Sequence, residues 1–346
     1  MGTNRRQEDS KSKPVTLKAV AARVGLTSGT VSAVLNDSPA ARFIPERTKA
    51  RIIAAAQELN YRPNFFARSL RAKRTYTIGV IAEEIGDVYG AMLISGIDSR
   101  LREQNYFFIT AVHRHDPDLL KSYADLLVNR GVEGFITVDT DLGSAPALPA
   151  VAVAAHRKLK NVTNVVLDHD HAAEIALRHL IELGHRKIAF LQGHQLSSDS
   201  KTRWEAICKA AKKLRLAIDP DLVLRIEIMD SSPYVGYPYG KELIQRGKKF
   251  TALFAYNDLS AIGAIRAFQE AGLNVPHDVS VIGFDDIQAA AYNTPSITTV
   301  RQPITKMGYI AADTLLHRLD GAKKYPAEIA VEPTLVVRES TAQVLK

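Results

Sequence analysis

The side chains that could bind a polyanion are concentrated in the first fifth of the chain. Residues 1–75 contain 15 lysines and arginines against 5 aspartates and glutamates, which is a net charge of +10. Residues 76–346 contain 30 against 32, a net charge of −2, and the two parts together give the +8 of the whole chain. Ammonium and guanidinium groups at this density suit phosphate binding. The pattern favours a small nucleic-acid-binding module joined to a nearly neutral body.

The residues that could form a reaction centre lack the spacing that catalysis needs. The sequence has no Gly-x-Gly-x-x-Gly after a strand, no P-loop, no Gly-x-Ser-x-Gly elbow and no His or Cys set with metal-ligand spacing. The single cysteine, Cys208, excludes an intramolecular disulfide, and we predict that it is a small buried apolar residue. We therefore expect a binding protein without metal or cofactor, and not an enzyme.

Two short helices joined by a tight turn are predicted within the basic part. Leu17, Val20, Ala21 and Val24 repeat at i, i+3, i+4 and i+7, the spacing of one apolar helix face. Gly25 then ends the helix, since glycine adopts positive φ without strain. By itself, the spacing of Ala21, Gly25 and Val31 is only a weak indication of a helix-turn-helix. Its place in the basic part of the chain strengthens it.

The second helix of this pair lies in GLTSGTVSAVLN, residues 25–36, with Thr27 or Ser28 as its N-cap. A third helix with a basic face follows, with Pro45 in its first turn. If the second helix reads DNA, Gly29 and Ala33 are unexpected, because neither carries a side chain that can hydrogen-bond to a base.

From Thr75 onward, apolar strand-like segments alternate with amphipathic helix-like segments. The predicted strands are 77–82, 106–112, 133–138, 150–154, 186–192, 222–228, 251–256 and 279–284. The predicted helices are near 90–104, 117–130, 170–183, 199–214, 235–246, 257–271 and 303–319. This alternation is typical of parallel sheets covered on both faces. Eight units exceed one ordinary open sheet, so we predict an α/β body of two lobes with a ligand cleft between them.

No segment of the chain resembles a targeting or membrane sequence. The first residues, MGTNRRQEDSKSKP, lack the apolar core of a secretory signal, and no run approaches the roughly 18 apolar residues of a membrane span. We expect a cytoplasmic protein with a disordered leader at 1–14.

Several motifs, in order, resemble the lac repressor family of bacterial transcription regulators. The head and hinge are VTLKAVAARVGLTSGTVSAVLN and IPERTKARIIAAAQELNYRPNFFARSLRAKRTYTIGVI. The resemblance continues in ALRHLIELGHRKIAFLQG, FAYNDLSAIGAIRAFQEAGLNVPHDVSVIGFDDI, ITTVRQP and LVVRES, so it covers essentially the whole chain after residue 14. It implies a three-helix head, a hinge helix, and a bilobed effector domain of the periplasmic sugar-binding type that also forms the dimer.

The resemblance also implies the domain boundaries. They are a helix-turn-helix head at 15–61, a hinge helix and linker at 62–75, an effector-binding and dimerisation domain at 76–340, and a tail at 341–346. Within that domain the first lobe spans about 76–167 and 303–331, and the second about 168–302 and 332–340.

DNA contacts carried over from the family fall in the head and in the hinge. In the head they are Thr16, Leu17, Lys18, Thr27, Ser28, Gly29, Thr30, Ser32, Ala33 and Asn36, although some of these, Thr30 especially, can instead be caps or turn residues. In the hinge they are Asn64, Ala67, Arg68, Leu70 and Arg71. Leu70 is expected to enter the minor groove as a wedge between base pairs. A basic interdomain linker would explain the arginines but not an apolar Leu70 among them.

Ala33 departs from the family pattern, since many relatives have an arginine there that can donate two hydrogen bonds to guanine. Our hypothesis is that Ala33 contacts a thymine methyl or leaves its base pair unread. Discrimination would then shift to Lys18, Ser28, Ser32 and the hinge.

Effector contacts carried over from the family fall on Tyr89, Thr137, Arg203, Asn257, Asp285 and Gln302. Arginine and aspartate can together hold vicinal hydroxyls, and a tyrosine offers a flat face to a sugar ring. Alternatives remain, because Asn257 and Asp258 can cap the following helix, and Asp285 with Asp286 can brace a loop. We favour capping for Asp258 and a ligand role for Arg203 and Asp285.

The edge of the expected cleft differs from the family pattern. Relatives often have Asn-Pro-Phe/Tyr-Phe after the first strand, where this chain has Asp87-Val88-Tyr89-Gly90. Five residues can bring ionisable groups near this edge: Glu83, Glu84, Asp87, His113 and His115. They are either near the ligand or solvated loop residues, and we favour the solvated alternative for His113 and His115.

Three functions differ in how well they fit the sequence. The first is a ligand-responsive transcription regulator that acts as a repressor, and it fits both the basic head and the bilobed body. A solute-binding protein for transport would share the bilobed fold but predicts a signal peptide and no basic head. An enzyme on a similar scaffold lacks its motifs. Two small heads are needed to read a pseudo-palindromic operator, so we expect a homodimer that binds double-stranded DNA and a sugar-like effector.

Overall fold

The computed structural model describes residues 15–62, 69–70, 73–144, 146–155, 157–228, 230–321 and 324–344. The chain divides into two compact units, Met1–Thr75 and Tyr76–Lys346. We call the described part of the first unit up to residue 62 the head, and the second unit the body.

The head consists of three α-helices around a small apolar core. They are α1 (Leu17–Val24), α2 (Ser28–Leu35) and α3 (Glu46–Glu58), with a 3-10 helix at Pro39–Phe43 before α3. The core contains Val20, Ala21, Val24, Val31, Ile52, Ala55 and Ala56. Gly25 has φ +69°, and the Leu26 N–H donates to the Ala21 carbonyl at 3.0 Å, which turns the chain sharply between α1 and α2.

The first lobe of the body is built on a parallel sheet of six strands. They are β1 (Thr77–Ala82), β2 (Phe107–Val112), β3 (Phe135–Val138), β4 (Ala150–Val153), β5 (Val162–Leu167) and β11 (Glu328–Val331), in the order β11-β5-β4-β3-β1-β2. Helices α4 (Val88–Glu103), α5 (Pro117–Asn129) and α11 (Ile304–Leu319) cover it.

Two of these helices are in unusually close contact. A Cβ added to Gly96 on α4 would lie 1.9 Å from the Thr305 carbonyl oxygen, and one added to Gly308 on α11 would lie 2.2 Å from the Leu93 carbonyl oxygen. The backbones of α4 and α11 therefore touch at a pair of glycines that no larger residue can replace without a shift.

The second lobe is built on another six-stranded sheet. Its strands are β6 (Ile188–Gln192), β7 (Val223–Arg225), β8 (Ala252–Phe254), β9 (Ser280–Asp285), β10 (Thr298–Arg301) and β12 (Thr334–Val336), in the order β12-β10-β9-β8-β6-β7. All pair in parallel except β12, which is antiparallel to β10. The helices are α6 (His169–Glu182), α7 (Ser198–Lys213), α8 (Tyr237–Gln245), α9 (Asp258–Glu270) and α10 (Gln288–Tyr292).

The predicted fold class, an α-helical head followed by a bilobed α/β body with two parallel sheets, is confirmed. All eight predicted strands are present, but the segment 222–228 is strand only over Val223–Arg225. Four strands, β5, β10, β11 and β12, were not predicted. The prediction that Cys208 is buried was wrong, because it is exposed on α7. None of the helices that the structure describes has the length and apolarity to cross a membrane.

Candidate functional site

The second helix of the head has a defined N-cap, which settles one ambiguity of the sequence. Thr27 accepts a hydrogen bond from the Thr30 N–H at 3.2 Å, and the two hydroxyl oxygens are 2.9 Å apart. Thr27, not Ser28, is therefore the cap. Thr16 has the same role at α1, where it accepts from the Ala19 N–H at 3.3 Å.

The head residues expected to contact DNA differ in their exposure. Thr16, Lys18, Thr27, Gly29 and Asn36 are exposed, Leu17, Ser28, Thr30 and Ala33 are half-buried, and Ser32 is buried. The Asn36 amide donates to both the carbonyl and the hydroxyl oxygen of Ser32, at 2.8 and 3.1 Å. Ser32 and Asn36 thus brace the end of α2, and the accessible polar groups are concentrated at its start.

Gly29 on α2 is not required by the fold of the head. A Cβ added there would meet no atom closer than the Thr27 hydroxyl, at 3.7 Å, and its backbone is helical. Gly25, in contrast, needs glycine for its positive φ. The absence of a side chain at Gly29 leaves the backbone of the first turn of α2 accessible, and the N-terminus of a helix is a favourable place for an anion such as a phosphate.

One basic side chain of α3 has an internal partner. The Arg51 guanidinium donates to the Val24 carbonyl at the end of α1, at 3.1 Å. This bond ties α3 to the turn between α1 and α2. Arg51 therefore holds the helix-turn-helix together.

The hinge residues can be placed only in part. Asn64, Ala67, Arg68 and Arg71 lie outside the described residues. Leu70 lies in a helical stretch with Ser69, and 84% of its surface is exposed. An apolar side chain with this exposure is available to a partner surface.

A cleft of about 400 Å³ opens between the two lobes of the body. Its lining comes largely from residues that follow the carboxyl ends of strands in both sheets, the usual place for a ligand in parallel α/β folds. Glu83 and Asp139 follow β1 and β3 of the first lobe, whereas Tyr256 and Asp285 follow or end β8 and β9 of the second. Among the expected effector residues, the lining includes Tyr89, Arg203, Asn257 and Asp285. Thr137 and Gln302, both buried, are not part of it.

Arg203 on α7 is the centre of a buried polar network in this cleft. Its two terminal nitrogens donate to the Asp199 carboxylate and to the Tyr256 carbonyl, both at 2.7 Å. Its guanidinium carbon lies 3.7 Å from the ring centre of Phe284 and 4.7 Å from that of Tyr256. Asp199 also lies 2.8 Å from the His169 ring nitrogen. The guanidinium is therefore fixed in position before any ligand binds.

Asp285 and Asp286 have different roles although they are adjacent. Asp285 has φ +102°, an unfavourable backbone conformation for a non-glycine residue, and it lines the cleft. Burial raises the pKa of its carboxyl well above the ordinary value, although Arg203 acts in the opposite direction. Asp286 pairs with Arg301 and Arg338, both at 2.6 Å, and so braces the loop.

The neighbouring pair Asn257 and Asp258 also divides its roles. Asn257 is the N-cap of α9, accepting from the Ser260 N–H at 2.9 Å, so the amide nitrogen is the group it can offer to the cleft. The expectation that Asp258 is a cap was wrong. Its buried carboxylate accepts from the Thr299 hydroxyl at 2.6 Å and from the Ile287 N–H at 2.9 Å, and thereby joins α9 to β10 and the loop after β9.

The first-lobe side of the cleft is rich in ionisable groups. Glu83, Glu84 and Asp87 all line it, and so does His115. The prediction that His113 and His115 are solvated loop residues was wrong. His115 lies 2.5 Å from Glu83, measured from ring nitrogen to carboxylate oxygen.

His113 is buried and its ring nitrogen is 2.9 Å from the Thr140 hydroxyl. Both histidines follow β2 directly, at the edge of the sheet where the carboxyl ends of the strands lie. This position places the two side chains inside the body and not in a solvated loop.

Sequence reasoning missed several lining residues, among them Asp139, His194, Ser197, Asp199 and Tyr256. The Ser197 hydroxyl donates to Asp139 at 3.1 Å, which is a hydrogen bond from one lobe to the other. A signal was present for Asp139, because a carboxylate directly after a buried strand is a candidate ligand residue in a parallel sheet. Asp199, in the first turn of α7, shares a helix face with Arg203 at i and i+4. In the part of the chain that the structure describes, no group of His, Cys, Asp and Glu side chains has the arrangement of a metal site.

Comparison with known proteins agrees with this geometry. The model for bacterial regulatory proteins of the lacI family matches residues 16–64, and the model for a periplasmic binding protein-like domain matches residues 177–341. The HTH-type transcriptional repressor PurR of Haemophilus influenzae strain ATCC 51907 is 33% identical over 343 residues, covering 95% of this chain and 99% of the relative.

Solved structures have the same architecture. The lac repressor dimer bound to operator and the anti-inducer ONPF superposes with a TM-score of 0.85 at 27% identity, covering 95% of this chain and all of that one. The complex of the transcriptional regulator CelR with cellobiose gives 0.70 at 28% identity, covering 94% and 99%. With a helix-turn-helix head, a periplasmic binding protein-like body and a relative of 33% identity along nearly its full length, this chain belongs to the lacI family of DNA-binding bacterial transcription regulators.

Proposed function

We propose that this protein is a repressor that binds a specific operator in the cytoplasm through paired heads. Its operator affinity falls or rises when a sugar-like effector binds in the cleft of the body. The observation that carries the proposal is the cleft itself, about 400 Å³, lined from both lobes by fixed polar groups. A ligand that contacts both lobes favours one relative arrangement of them, and that preference can be transmitted to DNA affinity. Ligand binding and release, not turnover, is the proposed chemistry.

The lining supports a sugar-like effector. The Tyr89 and Tyr256 rings offer flat apolar faces, while Asp285 and Asn257 offer an acceptor and a donor for hydroxyl groups. The cellobiose complex of CelR gives a precedent for a sugar in this fold.

The proposed dimer accounts for apolar groups exposed on the body. Phe107 and Ile109 are exposed on β2, the strand at one edge of the first sheet. On the second lobe, an open groove of about 610 Å³ is lined by Tyr234, Tyr237 and Ile262 together with polar residues. Edge strands and apolar grooves of this kind are typical of surfaces covered by a second subunit. Two subunits would present two heads to a pseudo-palindrome.

The function is tested by selecting double-stranded DNA from a random pool with the full-length protein. We expect enrichment of one pseudo-palindromic sequence, bound more weakly as salt increases because lysine and arginine contacts release counterions. Recovery of unrelated sequences, or of a single unrepeated half-site, would contradict a dimeric operator-binding protein.

Gly29 provides a test of how α2 approaches DNA. Because the fold leaves room for a methyl group, we expect Gly29→Ala to stabilise the head by about 0.5–1 kcal/mol through helix propensity. We expect the same change to weaken operator binding at least fivefold, since close approach of the backbone is lost. Thermal unfolding and fluorescence anisotropy measure the two effects. Affinity for unrelated DNA serves as the control and should hardly change, and an alanine variant with wild-type operator affinity would exclude the close approach.

Leu70 provides a test of the proposed wedge. An exposed leucine that becomes buried between base pairs gains about 1.5–3 kcal/mol, so Leu70→Ala should weaken operator binding by about 10- to 100-fold. Thermal stability should not change, since the side chain packs against little in the free protein. The matched control is Leu196→Ala, which removes an exposed leucine from the body. Equal operator affinities for both variants would exclude the wedge.

A further inference from the structure

The cleft of the body carries an excess of acidic side chains. Among the described residues its lining contains seven carboxylates and two guanidinium groups. The carboxylates are Glu83, Glu84, Asp87, Asp139, Asp199, Asp230 and Asp285. A neutral sugar needs hydrogen-bond partners but not this many carboxyl groups, which can ionise against a cation, so the lining favours a ligand that carries a cationic group.

The acidic groups are densest where the carboxyl ends of two adjacent strands meet. Glu83 follows β1 and Asp139 follows β3, and these strands are paired in the first sheet. Their interaction favours the protonated form of Glu83, because a negative charge on Asp139 opposes a second negative charge beside it. The groups that face Glu83 are Asp139, Asp87, Glu84 and His115.

The surroundings of Glu83 favour its protonated carboxyl. Burial, and then repulsion from Asp139, raises the pKa of Glu83 from 4.5 to about 8. His115 does not neutralise the pair at neutral pH, because burial and the nearby His194 lower its own pKa. At neutral pH Glu83 is thus largely protonated in the free protein, and a ligand cation beside it would favour release of that proton.

The guanidinium groups of the lining do not offset this preference. Arg203 is already bonded to Asp199 and the Tyr256 carbonyl and is stacked between two rings. Arg114 is at the rim, with 77% of its side chain exposed, and lies 3.8 Å from Glu84. The charge of Arg203 is therefore matched by the Asp199 carboxylate, and its buried Nε–H is the part of the guanidinium that no described side chain or backbone group accepts.

We propose that the effector is a polyhydroxy compound with a protonated amine, such as an amino sugar, whose ammonium group lies against Glu83 and Asp139 while its hydroxyl groups contact Asn257 and Asp285. The proposal rests on the proposed function of the cleft as the effector site. The tyrosine faces and amide suit the sugar ring, and the acidic pair suits the ammonium, since a charge-assisted hydrogen bond is roughly twice as strong as a neutral one.

The test compares matched pairs of compounds by calorimetry with the full-length protein. The pairs are D-glucosamine with D-glucose, D-galactosamine with D-galactose, and glucamine with glucitol, and N-acetyl-D-glucosamine is added as a neutral amide. In at least one pair, we expect the amine to bind at least tenfold more tightly than the hydroxyl compound. At pH 7, where Glu83 still holds its proton, binding should release about one proton, measured in buffers of different ionisation enthalpy. For glucamine, whose amine stays protonated over this range, affinity should rise by up to tenfold per pH unit from pH 6 to pH 8.

Glu83→Gln should remove the amine preference, the proton release and this pH dependence, while leaving any binding of the neutral partner. The matched control is Glu103→Gln. Glu103 is a carboxylate of the first lobe that is not part of the cleft lining, and it pairs with Arg100 at 3.1 Å. This variant should keep both the preference and the proton release.

The outcomes separate this inference from the proposed function. Tighter binding of a neutral sugar, or no amine preference in any pair, overturns the inference. If that neutral sugar also changes operator affinity, the proposed function is supported although the inference is wrong. Amine binding that survives Glu83→Gln also overturns it. An amine that binds through Glu83 but leaves operator affinity unchanged would support the inference and contradict the proposed regulation.

Discussion

Arg203→Leu is expected to lower the free energy of unfolding of the body by about 3–5 kcal/mol and to abolish effector binding. The side chains of Arg203 and Asp199 are 7% and 10% exposed, and they are joined by a hydrogen bond of 2.7 Å. Removing the guanidinium leaves the Asp199 carboxylate buried without its cation, and an uncompensated buried charge of this kind costs several kcal/mol. Because leucine can still make apolar contact with Phe284, the loss of stability measures the effect of removing the charge of Arg203 and not that of removing side-chain volume.

Urea denaturation monitored by the fluorescence of the single tryptophan, Trp204, measures this change, since that residue is next to Arg203 on α7. The control is Arg178→Leu on α6, which breaks an exposed i,i+4 pair with Glu174 and should change the unfolding midpoint far less. Operator binding by the head should persist in Arg203→Leu at temperatures where the body is folded. Equal midpoints for the two variants would exclude the buried network as a source of stability.

Gly96→Ala is expected to destabilise the first lobe by about 3 kcal/mol or more. The added Cβ would lie 1.9 Å from the Thr305 carbonyl oxygen, and helix backbone, unlike the end of a long side chain, cannot move aside cheaply. Helices α4 and α11 must separate, which opens the core around Leu93 and Met307.

The matched control is Gly29→Ala, in which the same change of residue meets no close atom. Thermal unfolding should show a large decrease for Gly96→Ala and a small increase for Gly29→Ala. Gly308→Ala should behave like Gly96→Ala. The double variant should lose less stability than the sum of the losses of the two single variants, because one separation of the helices accommodates both methyl groups. Unchanged stability of Gly96→Ala would mean that the two backbones do not touch.

The elements with a strong local pattern could be predicted from the sequence. The α1 prediction, residues 17–24, coincides with the helix found, because an apolar face at helical spacing is followed by a glycine that ends it. The long helices of the body and the apolar strands β1, β2, β6 and β9 were predicted within a few residues for the same reason.

The strands that were missed have weak or mixed patterns. β5 lies in the sequence NVTNVVL and is fully buried. It contains the polar residues Thr163 and Asn164, so its sequence does not have the apolar pattern of a buried strand. Thr163 is buried because its hydroxyl donates to the Pro326 carbonyl and accepts from Arg318, a long-range arrangement that no local pattern contains. β11 and β12 are edge strands of only four and three residues. Their pairing depends on the chain returning to both sheets after α11.

The lining of the candidate ligand site could be predicted only where a residue matched the pattern of the family. Tyr89, Arg203, Asn257 and Asp285 line the cleft as the resemblance implied. His115 was misjudged, because its position depends on β2 ending beside β1, and sheet order cannot be read from the residues near it. The raised pKa of Glu83, to which Asp139 contributes, depends on the pairing of β1 with β3, two strands more than 50 positions apart in the chain.

The central claim is that ligand in the cleft controls operator affinity, and one titration tests it most directly. Labelled operator recovered by selection is titrated with the full-length protein, with and without the compound that most raises its melting temperature among hexoses, hexosamines and disaccharides. We expect operator affinity to change at least fivefold, a coupling of about 1 kcal/mol or more, and to change equally in the wild type and in the control Arg178→Leu. In Asp285→Asn, which alters the cleft and leaves the head intact, the change should be lost. Operator affinity that stays the same with bound ligand would contradict the claim.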